Sequence, residues 1–189
     1  MPYTRDEADR EQCTFESLFA LAKRRRSVRW FLPRPVPREL VERAMLVARE
    51  APSACNRQPF VFRVFDNPGR IREIAEIPMG AAGYSHQIPM LVVVIGQMRN
   101  FFDPRDRHLI YIDGALSGMS FALALETLGL SSCIINWPDI AEKEQSMRAA
   151  LDLEPDERPV FLMAVGYADG NGLVARSVKR DMYQLLRFN

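Results

Sequence analysis

The sequence predicts a layered α/β or α+β domain in which one sheet lies between helices. Three observations support this fold class. Helical and strand patterns alternate along the 189 residues, and three of the four predicted strands are apolar, as in a sheet covered on both faces. The helix predicted over residues 108–128 is apolar nearly all round, which indicates that it is enclosed.

The N-terminal part of the chain predicts two helices joined by a rigid connector. Residues 1–13 are polar and predict a flexible arm, and Thr14 can cap a helix that runs to about Arg25. Three prolines then force an extended connector. Pro37 suits the first position of the next helix, which we expect to end near Glu50, ahead of Pro52.

Four segments predict strands. The segment FVFRVFD (60–66) alternates and is rich in Val and Phe, and MLVVVIG (90–96) is a continuous apolar run. SSCIINW (131–137) and PVFLMAVGYA (159–168) follow the long helix. Shorter helices are predicted over residues 70–76, 141–151 and 179–186. Residues 97–107 are rich in polar residues and predict an irregular connection.

The predicted helix over residues 108–128 bears on the oligomeric state. Ala115, Gly118 and Ala122 stand among Leu, Met and Phe, so most of its surface is apolar. A chain of this length has few layers with which to surround such a helix. A dimer whose interface includes the helix would enclose it, and a central helix in a monomer is the alternative.

Composition argues against several classes of function. The chain has 25 basic and 24 acidic residues, whereas a nucleic-acid binder usually carries a clear basic excess. The three cysteines are odd in number and in no metal-binding spacing, which suits a reducing compartment. No apolar signal segment opens the sequence, and the apolar stretch around residues 109–130 is interrupted by charges. We therefore expect a cytoplasmic protein without a membrane partner.

A local basic cluster lies in the segment KRRRSVRWF, where Ser27 stands among Arg25, Arg26 and Arg29. Such a cluster at a helix end is consistent with three roles. It can be a solvated face, it can complement the helix dipole, or it can clamp a phosphate, for which arginine has the right geometry. The cluster alone leaves these alternatives open.

A second polar segment is APSACNRQPF, between a helix end and a strand start. Ser53, Asn56 and Gln58 carry side chains that donate and accept hydrogen bonds, and Pro52 and Pro59 restrict the segment. A simple turn explains this composition. A planar heterocycle with carbonyls and ring nitrogens is the other explanation, because it requires mixed donors and acceptors.

In order and spacing, RRSVRWF, PVPREL and APSACNRQPF resemble the opening of the FMN-dependent nitroreductase family. DGALSGMSFALALETLGLSSCIINW is similar to the family's central helix and following strand, and RSVKRDMYQLLRFN to its basic C-terminal segment. The resemblance implies a short family member with one FMN-binding domain over residues 14–189. It also implies an α+β sandwich, a central mixed or antiparallel sheet flanked by helices, and an intertwined homodimer with two FMN sites.

The resemblance also implies roles for individual residues. The phosphate and ribityl end of FMN would be held by Arg25, Ser27 and Arg29, with Arg26 nearby and Lys179 and Arg180 arriving from the chain's end. The flavin ring would meet residues of the other subunit, namely Pro52, Ser53, Ala54, Asn56 and Gln58. The backbone at Ile135 and Asn136 would face the reactive edge of the flavin. Trp137 would either stack on a substrate or fill core.

The implied activity is an electron transfer from NADH or NADPH through FMN to a small organic acceptor such as a nitroaromatic, quinone or enone. The protein then needs no nucleophile or metal, which fits a chain with two histidines. Residues 67–89 are short for the family, and Gln87 is the candidate there for a further FMN contact. Alternatives are a flavin-consuming member, a non-catalytic flavin binder and, more distantly, an anion- or nucleic-acid-binding module.

Overall fold

The computed structural model describes residues 13–189, so nearly all of the expected N-terminal arm lies outside the described residues. The helices are α1 (Phe15–Arg24), α2 (Arg38–Ala48), α3 (Pro68–Ala75), α4 (Leu109–Thr127), α5 (Ala141–Leu151) and α6 (Met182–Leu185). The strands are β1 (Phe60–Phe65), β2 (Met90–Gln97), β3 (Ser131–Asn136) and β4 (Glu157–Gly166). Short 3₁₀ turns interrupt the connections.

The four strands form one sheet in the order β1-β2-β4-β3, and each neighbouring pair is antiparallel. The fold is therefore α+β, as expected from the resemblance, and the sheet is antiparallel rather than mixed. The parallel element is an isolated bridge between Ser27 and Ser132, outside the strand ladder. It attaches the segment after α1 to the edge strand β3.

Both faces of the sheet are covered, which explains the continuous apolar run in β2. Because side chains alternate along a strand, Leu91 and Val93 pack on the side of α3 and α5, whereas Val92 and Val94 pack on the side of α2 and α4. All four side chains are fully buried. The two resulting cores hold the layers together through the sheet.

Helix α4 is enclosed on one face only. Ile110, Phe121 and Leu125 are buried in the fold, while Ile112 and Leu116 on the opposite face are exposed. The segment Pro104–Thr127 is long and apolar enough to cross a membrane, but half of its most apolar window is buried inside the fold, as in a core helix. A single chain therefore buries only one face of the helix that the sequence predicted to be enclosed.

The C-terminal segment differs most from the prediction. The last helix was expected over residues 179–186, but α6 has only one turn, and every residue from 173 to 189 is exposed. A short helix needs tertiary packing to be stable, and within the described part of the chain no residue of α6 is buried. The segment nevertheless carries exposed apolar side chains, among them Leu173, Val178, Met182, Tyr183 and Phe188.

Candidate functional site

The basic cluster is fixed by the way the chain leaves α1. Thr14 caps the helix as predicted, its Oγ1 accepting a hydrogen bond from the Ser17 amide. After Arg24 the chain becomes extended, and the Val28 amide donates to the Ser132 carbonyl at 3.0 Å. Val28 is thereby buried in the core, and the polar residues on either side of it are left at the surface.

A pocket of about 90 Å³ lies where this extended segment meets the C-terminal segment. Among residues 13–189, no acidic side chain lines it. Two hydroxyls, Ser27 and Ser177, and the guanidinium or ammonium groups of four residues surround it, and the full lining is Arg25, Arg26, Ser27, Arg29, Ala175, Ser177 and Lys179. The structure therefore brings together five of the residues predicted to hold a phosphate, from two distant parts of the chain. Arg180 does not line the pocket.

The Nε of Arg25 is a buried donor without a partner. Within residues 13–189 it is the one buried side-chain nitrogen or oxygen for which the protein offers no hydrogen bond. An unpaired buried donor is unfavourable, and at a cationic group it invites an anionic acceptor. A phosphate monoester supplies several acceptor oxygens and two negative charges, so the residues present fit the phosphate end of FMN.

Sequence reasoning missed Ala175 and Ser177. A signal was present, because the segment RSVKR (176–180) repeats the pattern RSVR (26–29). The two copies of this pattern contribute one serine and one or more cations each to the same pocket.

Gln87 and Tyr84 make hydrogen bonds close to Arg29. Gln87 Nε2 donates to the Arg29 carbonyl at 3.2 Å, so this candidate lies beside the pocket without lining it. The Tyr84 hydroxyl donates to Cys133 Sγ at 3.5 Å. Burial raises the pKa of Tyr84 well above its ordinary value, and the nearby Arg29 opposes that shift. Tyr84 therefore stays a neutral hydrogen-bond donor at physiological pH.

One acid lies close to the basic cluster. Glu126, near the end of α4, is buried, and its Oε2 lies 3.6 Å from Arg24 Nε. Burial raises the pKa of the Glu126 carboxyl, while Arg24 and Arg25 act in the opposite direction. Glu126 thus lies close enough to Arg24 and Arg25 to interact with their charges.

The segment Pro52–Gln58, here called the polar loop, has an unusual backbone. After α2 it forms a short 3₁₀ turn, and three of its non-glycine residues have left-handed conformations: Cys55 (φ 52°), Asn56 (φ 54°) and Gln58 (φ 47°). Single left-handed residues cost about 1 kcal/mol or more each. A loop of this kind is retained because surrounding contacts impose it.

Hydrogen bonds hold the polar loop in this shape. The Gln58 amide donates to Ser53 Oγ at 3.0 Å, and Gln58 Nε2 donates to Asn56 Oδ1 at 3.1 Å. Arg57 Nη1 donates to the Asn100 carbonyl at 2.7 Å, and Asn100 Nδ2 returns a bond to the Arg57 carbonyl at 2.9 Å. Asn56 and Gln58 remain exposed, and no loop residue lines the basic pocket of the same chain.

The residues at the end of β3 divide between surface and core. Ile135 and Trp137 are buried in the core, and Asn136 between them is exposed. The indole Nε1 of Trp137 donates to Glu144 Oε1, and the ring is only 9% exposed. Of the two alternatives for Trp137, the geometry favours core packing over stacking on a substrate.

Comparison with known proteins identifies relatives over most of the chain. The sequence profile of the nitroreductase family matches residues 22–87 and 78–167. Iodotyrosine deiodinase from Danio rerio is 41% identical over 196 residues, spanning 90% of this chain and 66%, just under two thirds, of the relative's length. Iodotyrosine deiodinase 1 from Rattus norvegicus is 31% identical, covering 90% of this chain and 69% of the relative.

Solved structures share the fold at lower sequence identity. An FMN-dependent nitroreductase from Clostridium difficile R20291 superimposes with a TM-score of 0.77 at 20% identity, covering 90% of this chain and 98% of the other. A nitroreductase family protein from Streptococcus pneumoniae TIGR4 gives a TM-score of 0.78 at 21% identity, with 91% and 100% coverage. At these identities the similarity establishes the architecture.

Proposed function

This chain belongs to the nitroreductase family, and on that premise we propose that it is an FMN-dependent oxidoreductase that uses NADH or NADPH to reduce a small organic acceptor. The observation that carries the proposal is the basic pocket with its unpartnered Arg25 Nε. FMN, when bound, would accept a hydride and deliver electrons to the acceptor. The residues below bind and orient it.

The basic pocket is proposed to hold the FMN phosphate. Arg25 and Arg29 line it from the segment after α1, and Lys179 lines it from the C-terminal segment. Arg26 is oriented by its own bond to the Arg25 carbonyl at 2.9 Å. Charge-assisted contacts of this kind fix one end of the cofactor and leave the ring to other residues.

The polar loop is proposed to meet the flavin ring of a partner subunit. Its exposed amides, Asn56 and Gln58, donate and accept hydrogen bonds, as a heterocycle with carbonyls and ring nitrogens requires. No loop residue lines the pocket of its own chain, and a homodimer with two composite sites would account for both groups of residues. The backbone at Ile135 and at the exposed residue Asn136 would then border the reactive edge.

A second candidate is reductive dehalogenation of a halogenated phenol. The 41% identity with iodotyrosine deiodinase of Danio rerio over 90% of this chain favours it. In such a reaction two electrons and a proton convert a carbon–halogen bond into a carbon–hydrogen bond, and halide ion leaves. The same phosphate pocket and polar loop would serve both reactions, so the difference lies in the acceptor.

The decisive experiment starts from the purified protein loaded with FMN. We expect NADH or NADPH to bleach the flavin absorbance anaerobically, and we expect a nitroaromatic or quinone to restore it. Iodotyrosine in the same assay, with halide release measured, tests the second candidate. A protein that retains FMN but is reduced by neither nicotinamide would be a passive flavin binder, and one that retains no FMN would overturn the proposal. Loss of FMN during aerobic turnover would identify a flavin-consuming enzyme.

The polar loop has its own test. In FMN-saturated protein we expect Asn56→Ala and Gln58→Ala to shift the flavin's reduction potential or slow its reduction, because contacts to the ring respond to its redox state. Arg25→Ala should leave the potential near that of the parent, since the phosphate is remote from the ring. Potentiometric titration and stopped-flow reduction measure both quantities. Parent-like values for both loop variants would exclude the loop from the site.

A further inference from the structure

Asp113 stands out as a buried carboxylate inside the apolar helix α4. Its side chain is only 2% exposed, and within the described residues none of the ion pairs involves it. Burying a carboxylate is unfavourable unless hydrogen bonds compensate for the lost water. Asp113 Oδ2 accepts one such bond, from the backbone amide of Ala54 in the polar loop, at an N···O distance of 3.1 Å.

The position of this bond within the loop is informative. Ala54 begins the 3₁₀ turn, directly ahead of the left-handed residues Cys55 and Asn56. The first amides of such a turn have no partner within the turn itself. Asp113 therefore anchors the loop at the point where its backbone enters the strained conformation.

Helix α4 reaches this position because it packs unusually close to the sheet. Gly114 and Gly118 face β4, and a Cβ atom added at Gly118 would overlap the ring of Phe161. One turn beyond Asp113, Ser117 Oγ donates to the Ala48 carbonyl at the end of α2, at 2.9 Å. The same face of α4 thus holds the connection between α2 and β1 at two points, one in the helix end and one in the loop.

We propose that Asp113 is the positioning residue of the polar loop: its carboxylate imposes the left-handed backbone that presents Asn56 and Gln58 to the flavin ring. The proposal rests on the proposed function only in naming the flavin ring as the group that Asn56 and Gln58 contact. The contact that carries it lies within one chain, between a buried acid and a backbone amide.

The test compares Asp113→Ala with Asp113→Asn and with Ser117→Ala. Asp113→Ala removes the acceptor, so amide hydrogen exchange over residues 54–58 should accelerate, and affinity for FMN and for riboflavin should fall by about tenfold in parallel. Asp113→Asn keeps an acceptor oxygen and should restore both properties to within about threefold. Ser117→Ala loses a buried bond to α2 and should leave loop exchange and flavin affinity unchanged.

A second variant tests the same bond from its other end. Ala54→Pro deletes the donor at a turn position that tolerates proline, and the extended Ser53 before it (ψ 154°) already has the conformation that proline requires. It should weaken flavin binding as Asp113→Ala does, and the double variant should be no weaker than either. If Asp113→Ala does not fold, the Ala54→Pro variant alone tests whether the bond between Asp113 and Ala54 positions the loop.

Three outcomes would overturn the proposal. These are parent-like loop exchange in both Asp113→Ala and Ala54→Pro, equal effects of Asp113→Ala and Ser117→Ala, and failure of Asp113→Asn to restore the loop. Failure of the proposed function looks different, because the parent protein would then bind no flavin. The hydrogen-exchange measurements on the loop would still test Asp113 in that case.

Discussion

The Nε of Arg25 differs from that of an ordinary surface arginine, because it is buried and has no hydrogen-bond partner within residues 13–189. Arg29 lines the same pocket, whereas the nearby Arg34 stacks on the Tyr167 ring at 4.0 Å and lies outside it. The number of basic residues in the segment is therefore a poor guide to which of them bind an anion. Burial and the missing partner distinguish Arg25.

We expect Arg25→Ala and Arg29→Ala each to weaken FMN binding by about tenfold to a hundredfold, since a hydrogen bond to a charged group contributes about 1.5–3 kcal/mol. Riboflavin lacks the phosphate and should bind both variants as it binds the parent. Fluorescence titration of the apoprotein measures both ligands. Arg34→Ala is the matched control and should behave as the parent, and unchanged FMN affinity in both pocket variants would make the cluster a solvated face.

Glu126 provides a prediction about pH. Burial raises the pKa of its carboxyl above the ordinary 4.5, so the folded state holds the proton more tightly than the unfolded state. The contribution of Glu126 to stability is therefore complete below the unfolded pKa and is lost as pH rises through the folded pKa. Its contact with Arg24 compensates little, because Arg24 is mostly exposed.

Glu126→Gln should therefore gain stability relative to the parent as pH rises from about 4 to about 8. Urea denaturation of the two apoproteins across this range gives the difference in the free energy of unfolding. Other titrating groups cancel in that difference. A difference that shrinks with rising pH would mean that Arg24 and Arg25 dominate and lower the pKa of Glu126.

At the scale of elements, local patterns predicted what local physics determines. The strands at 60–65 and 90–97, the capped helix α1 and the helix Ala141–Leu151 lie within one or two residues of their predicted bounds. The short α6 was overestimated because its apolar residues have no packing partner in one chain. The spacing of apolar residues predicts which of them can be buried, but it does not indicate whether the surface that buries them belongs to the same chain or to another.

The basic residues of the pocket were predicted in a similar way, from an unusual local composition and a family resemblance. The place of the polar loop in the site stays a prediction. The contribution of Ser177 and the bond between Asp113 and Ala54 were not predicted. Ser177 had a signal in the repeated RSV pattern, which was not used. The bond between Asp113 and Ala54 joins residues far apart in the chain, and no local pattern encodes such a contact.

The glycines of α4 give a prediction at this scale. Gly118→Ala places a methyl group against the Phe161 ring, and the resulting overpacking should destabilise the fold by about 1–3 kcal/mol. Gly114→Ala meets Val160 at 3.4 Å, an ordinary contact, and should be neutral or stabilising because alanine favours helix by about 1 kcal/mol. Urea denaturation compares the two. Equal effects would show that the close approach to β4 does not constrain the helix.

Within residues 13–189, many large apolar side chains are exposed at the scale of the whole molecule. They include Phe15, Leu18 and Phe19 of α1, Ile112 and Leu116 of α4, and the apolar side chains of residues 173–189. Large exposed apolar patches mark interfaces in soluble proteins. No residue of the polar loop lines the basic pocket of the same chain, and under the proposed function a partner would bring the two together. A second copy of the chain would cover the apolar side chains and complete the proposed site.

We therefore predict a homodimer whose interface includes the exposed face of α4. Leu116, which is 43% exposed in one chain, would be buried there, so Leu116→Glu places a charge in an apolar interface and should give a monomer. Because each flavin site would draw on both chains, this monomer should also lose FMN. Gln145→Glu adds the same charge at an exposed position of α5 and should remain dimeric and yellow. Light scattering and flavin absorbance of the purified proteins measure both properties. A parent protein that is monomeric and loaded with flavin would show that one chain completes the site, and the apolar face of α4 would then need another explanation.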